Sequence, residues 1–188
     1  NIIYVFLIAS VVSFLYVAYI FIKSYAYEYK EVYFYFNKIL FKEYWVFNLK
    51  TFTSSSLKIG ATNIDNIILL GCGTSYHSCM YGKHFFTKLC DFNIINIHDG
   101  ADFEESDIPK NGNTLIVFVS QSGETKDLHR CIEIADNNNI FTMGIINVVD
   151  SLIAREVNCG IYCNAGREMG VASTKAFTTQ VICLTLLA

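Results

Sequence analysis

Ser120, Ser122 and Thr125, in the stretch Ser120-Gln121-Ser122-Gly123-Glu124-Thr125, can place three hydroxyls and the backbone N–H groups of a helix start around one point. Such a cluster suits an anion. First-turn amides have no intrahelical partners and the helix dipole adds positive potential, so a phosphate can be held there without a cluster of Lys or Arg. Gly123 lets the backbone bend close to that anion. The same residues also admit a purely structural reading, with Ser122 as an ordinary N-cap and Glu124 set in the first turn for the dipole. A second loop, Cys72-Gly73-Thr74-Ser75, offers two more hydroxyls in the same kind of setting. A third, running from Gly166 to Lys175 as GREMGVASTK, adds Ser173. Neither of the first two loops has Walker A or GxGxxG spacing. Together they point to a sugar phosphate, its phosphate held by hydroxyls and amides and its sugar read by the remaining polar groups.

These loops need elements to position them, and from Lys58 onward the sequence supplies an alternation of short apolar runs and longer amphipathic ones. The apolar runs predict strands at 67–71, 93–97, 114–120, 141–147 and 159–164. Helices are predicted at 76–90, 124–138 and 151–156, with a final one from near Ala172 to the end. Continuous apolar strands separated by helices imply a parallel sheet buried on both faces, hence an α/β doubly wound sandwich of three layers. In such sheets ligands sit beyond the carboxyl ends of the strands, where all three loops fall.

The chain has 188 residues, enough for one ordinary domain with an appendage. Its composition, 53% hydrophobic, excludes disorder, and a net charge of -3 gives no reason to expect a nucleic-acid partner. Seven cysteines, at 72, 79, 90, 131, 159, 163 and 183, form no CxxC pair or zinc spacing. They read as small buried hydrophobes in a reducing compartment. His77 and His84 share a helix face, but no third ligand stands at a metal-binding interval, so neither metal nor cofactor is expected. Residues 1–22 carry no charge, and about 20 such residues suffice to cross a bilayer. Either they are a membrane span or this apolar, aromatic stretch is an unusual insertion or a wrongly assigned coding segment; 32–56, which shows neither helical nor strand period, adds weight to the second reading. The expected division is an apolar extension over 1–56 and a sugar-phosphate domain over 57–188. A start at Asn1 and an end at Leu187-Ala188 within an apolar run give the expectation of a fragment.

GCGTSYHS (71–78), SQSGET (120–125) and NAGREMGVASTKAFTTQ (164–180) resemble, in order and spacing, the first sugar-phosphate isomerase (SIS) domain of the glutamine:fructose-6-phosphate amidotransferase family. The resemblance covers about 65–188, and GADFEESD (100–107) and REVNCGIYCNAG (155–166) look closer to its eukaryotic branch. That family makes glucosamine 6-phosphate from fructose 6-phosphate with ammonia released from glutamine. The resemblance places the substrate on Ser120, Gln121, Ser122 and Thr125, with Thr74 and Ser75 nearby and Val171, Ala172 and Ser173 on the sugar side.

The family's catalytic groups are a carboxylate base, an imine-forming lysine and a ring-opening histidine. They belong to a second SIS domain and a C-terminal tail, and the glutaminase nucleophile to an N-terminal domain, so no catalytic residue is assigned and this chain alone is expected to be inactive. Those domains, and further copies meeting through SIS contacts, are the partners the resemblance implies. Lys175 reads as a packing or interface residue, and Glu168 as a ligand of either the sugar or backbone amides. Arg167 departs from the family, which carries a smaller or neutral residue there. The rival reading is a non-catalytic sugar-phosphate-sensing SIS module. Cytoplasmic location is expected, or membrane anchorage if residues 1–22 insert. Replacing Ser120 and Ser122 together by Ala is expected to abolish binding and spare the fold, since both are loop positions.

Overall fold

A computed structural model describes residues 63–168 and 173–188. Five strands, β1 (Asn66–Gly71), β2 (Ile94–Asp99), β3 (Thr114–Ser120), β4 (Phe141–Ile146) and β5 (Cys159–Tyr162), form one sheet in the order β2-β1-β3-β4-β5. Every neighbouring pair is parallel, with Gly71 opposite Val119 and Ser120 opposite Ile146. The helices are α1 (Thr74–Leu89), α2 (Lys126–Asn137), α3 (Leu152–Glu156) and α4 (Lys175–Leu187). A one-turn 3₁₀ segment, Glu105–Asp107, lies between β2 and β3.

The strands form because their apolar runs can be buried on both sides at once. All residues of β1 and β3, the central strands, are buried, whereas those of β2, at an edge, are mostly half-buried. Alternate side chains face opposite ways along a strand. Ile68, Leu70, Ile116, Phe118 and Ile146 form one cluster with Leu128, Cys131, Ile132 and Ala135 of α2 and Ile153 of α3. The intervening Ile67, Leu69, Leu115, Val117, Met143 and Ile145 are equally buried and turn to the other face, which α1 and α4 cover. Leu128, Cys131, Ile132 and Ala135 recur at helical spacing, which is why α2 lies flat on the sheet. The expected three-layer α/β architecture is the one observed.

Boundaries differ where loops claim residues that the apolar pattern assigned to helices. The helix expected at 124–138 spans 126–137, because Glu124 is spent elsewhere: its Oε1 accepts from Leu152 N at 2.9 Å, at the start of α3. The last helix begins at Lys175 rather than near Ala172. Four of the seven cysteines are buried and three half-buried, and all are free thiols. No helix among the described residues is long and apolar enough to cross a membrane. The segment 1–22 and the whole expected extension 1–56 lie outside the described residues.

Candidate functional site

The strand order puts a topological switch point between β1 and β3. From β1 the chain moves outward to β2, then returns past β1 to β3 and proceeds the opposite way. The loops leaving β1 and β3 therefore diverge and open a crevice, the usual ligand position in such sheets. They are the two hydroxyl-rich loops. A cavity of about 290 Å³, near the lower end of ordinary ligand pockets, is lined there by Thr74, Ser75, Ser120, Gln121, Ser122, Thr125 and Ser173, with Cys72, Val119 and Glu168. Seven of the nine residues expected at the site thus meet around one cavity. Val171 and Ala172 lie outside the described residues.

Gly71, at the end of β1, makes the approach of α1 possible. A Cβ there would lie 2.7 Å from the carbonyl carbon of Ser75 and 2.8 Å from Tyr76 N, both main-chain atoms of α1. The first turn of α1 is thereby pulled against the strand end, with Thr74 and Ser75 leading it. No side chain caps α1 at Gly73 or α2 at Thr125, so neither helix N-terminus meets a side-chain acceptor of its own.

The β3 loop is shaped by its own hydroxyls. Ser120 Oγ, buried, accepts from Gly123 N at 2.9 Å and lies 3.4 Å from Thr125 Oγ1. Gly123 adopts φ 68°, a left-handed conformation, and a Cβ on it would collide with the Ser151 side chain. Ser122 Oγ accepts from Glu124 N at 3.2 Å. Ser122 is therefore not the N-cap of α2, and Glu124 is not in its first turn.

The third loop leaves β5, two strands from β3, and must be led back to the crevice. Buried Asn147, after β4, does this at one end: its Oδ1 accepts from Ala165 N at 2.6 Å and its Nδ2 donates to Gly166 O at 2.9 Å. Glu168 works at the other end, its Oε2 accepting from Ser173 Oγ and from Ala176 N, each at 3.2 Å. Desolvation acts to raise the Glu168 carboxyl, but the Ala176 N–H, the Ser173 hydroxyl, the Thr174 N–H and the Lys175 ammonium outweigh it and hold it below its usual range. Glu168 thus satisfies the α4 start while also lining the cavity, both roles that the sequence left open. Lys175 is exposed at the first position of α4 and does not line the cavity.

Sequence reasoning missed Cys72, Asn147 and Gln180. Burial, with Asp99 adding to it, pushes the Cys72 thiol up to about 11, so it lines the cavity as a neutral thiol. Gln180 of α4 is buried, and its Nε2 donates to Ser75 Oγ at 3.0 Å. Its signal was present in the TTQ that closes the third motif, but its contact across 105 residues exists only in the fold. Among the described residues no group of three or more His, Cys, Asp or Glu side chains could hold a metal ion.

The SIS domain model matches residues 62–188. A probable glutamine–fructose-6-phosphate aminotransferase (isomerizing) of Acanthamoeba polyphaga mimivirus is 52% identical over 130 residues, which are 69% of this chain and 22% of that protein. The glutamine–fructose-6-phosphate aminotransferase (isomerizing) of Saccharomyces cerevisiae is 42% identical, over 65% of this chain and 17% of its own length. The chain thus spans about a fifth of these relatives. Among solved structures, the C-terminal domain of glucosamine-fructose-6-phosphate aminotransferase from Francisella tularensis superposes with a TM-score of 0.60 at 33% identity, covering 65% of this chain and 35% of that one.

Proposed function

The chain belongs to the SIS domain family, and from that premise we propose that it is the fructose 6-phosphate-binding part of a glucosamine-6-phosphate synthase. The observation that carries this reading is the meeting of two uncapped helix N-termini and the hydroxyls of Thr74, Ser75, Ser120, Ser122 and Thr125 around one cavity. A phosphate dianion gains from both helix dipoles and from hydroxyl and amide donors, each charged hydrogen bond contributing roughly 1.5–3 kcal/mol. Ser173 and Glu168 line the same cavity from the third loop, where the resemblance puts the sugar. Gln121, also on the lining, would orient that sugar.

Binding and orientation are this chain's share of the reaction. The titratable groups on the described cavity wall are Cys72, held as a thiol, and Glu168, committed to the start of α4. Neither is set up to form an imine or to carry a proton to and from a sugar carbon. The glutaminase and second SIS domains would supply that chemistry, with further copies of the chain joined through SIS contacts, in the cytoplasm. Holding the substrate in place is itself a large part of such a reaction, because orientation removes entropy from the barrier.

Calorimetric titration of the 188-residue chain with fructose 6-phosphate, glucosamine 6-phosphate and fructose tests this directly. Heat from the two phosphorylated sugars and none from fructose is expected. Equal binding of fructose, or no binding of either phosphate by a folded sample, would remove the assignment. Tight binding of some other sugar phosphate with indifference to these two would favour the sensing-module reading instead.

A further inference from the structure

Ser75 can offer its proton to the cavity only if no group behind the wall takes it, and its neighbour there belongs to α4. Gln180, 1% exposed, directs Nε2 to Ser75 Oγ at 3.0 Å. The other end of the amide, Oε1, lies 3.2 Å from Ser78 Oγ, and Ser78 Oγ lies 2.7 Å from the Ser75 backbone oxygen. The single Ser78 proton is therefore shared between the Gln180 and Ser75 oxygens. Ser78 is fully buried and Ser75 nearly so, which makes this a largely buried polar triangle at the α1–α4 contact, with Ser75 at its cavity side. Among the described residues nothing accepts the Ser75 proton, and Ser75 faces the cavity. A hydroxyl has one proton and two lone pairs. With one lone pair taken by an amide N–H, its proton is left for the cavity, and the donation it receives polarises the O–H toward an acceptor.

We infer that Gln180 is a positioning residue for the anion site: by donating to Ser75 Oγ it leaves the Ser75 proton for a phosphoryl oxygen in the cavity. The inference rests on the phosphate-site reading above. It gives α4 a part in recognition, since a helix whose own side chains lie behind the cavity wall sets the hydrogen-bonding sense of a residue on that wall. The opposite orientation of the amide would take the Ser75 proton onto Oε1 and present lone pairs to the ligand, and removal of Gln180 would then leave phosphate binding unchanged or tighter.

The test is a double-mutant cycle on the full chain, with fructose 6-phosphate affinity measured for wild type, Gln180→Met, Ser75→Ala and the double variant. Gln180→Met is expected to weaken binding by about tenfold, the size of one hydrogen bond's net effect. In the Ser75→Ala background the same change should weaken it no further. Unaltered affinity of Gln180→Met, or a loss that adds in full to that of Ser75→Ala, overturns the inference. Should Gln180→Met not fold, the wild-type chain still decides: the side-chain amide resonance of Gln180 should shift on addition of fructose 6-phosphate and stay fixed with fructose. A resonance that ignores the phosphate overturns the inference as well. Absence of wild-type binding removes the phosphate-site reading and this inference with it, whereas wild-type binding with an indifferent Gln180 removes only the latter.

Discussion

Ser120 and Ser122 looked equivalent as loop hydroxyls, and the fold separates them. Ser122 Oγ accepts from the exposed Glu124 N–H, whereas Ser120 Oγ is the acceptor for the buried N–H of Gly123. The expectation that both could become Ala without cost to the fold is therefore revised for Ser120. Ser122→Ala should leave the melting temperature unchanged and weaken fructose 6-phosphate binding by roughly tenfold to a hundredfold, the loss of one charged hydrogen bond. Ser120→Ala should weaken binding similarly and also cost about 1–3 kcal/mol in a urea titration, because Gly123 N loses its partner. Equal stability of the two variants would show that the Ser120 hydroxyl does not hold the loop. The types and spacing of these residues were legible in the sequence. The assignment of lone pairs and protons was not, because it depends on which neighbour each hydroxyl meets.

At the scale of the element, the site depends on how closely each helix start approaches a strand end. Gly71 allows α1 to touch β1, and no larger residue can stand there without moving main chain. Gly71→Ala should cost roughly 1–3 kcal/mol as overpacking and weaken sugar-phosphate binding in the same variant, since Thr74 and Ser75 move with the helix. A variant with wild-type unfolding free energy and affinity would refute this account of the α1 start. The strands and helices themselves could be read from apolar runs and helical spacing, and β3 was placed residue for residue. Helix starts were harder. Glu124 has the type and position of a first-turn carboxylate for α2, yet it caps α3, 28 residues away in sequence. Local pattern cannot reveal a partner that only folding delivers.

At the scale of the molecule, the five strands and both helical layers found among the described residues are built from residues 66–187. Residues 57–188 alone should therefore unfold cooperatively and bind fructose 6-phosphate as the full chain does, checked by thermal melting and calorimetry. Insolubility or loss of binding in that piece would mean that the preceding residues complete the domain. By itself the sequence determined the parallel α/β class, the places of the loops and the chemistry of their side chains. These follow from burial periodicity and from residue type, both of which are local properties. Tertiary structure alone decided the strand order that opens a crevice between β1 and β3, and the Asn147 clamp that returns the third loop to it. It also decided the contact of Gln180 with Ser75. Each of these joins residues far apart in the chain, and such pairings are selected by packing and by the need to satisfy buried polar groups rather than by neighbours in sequence.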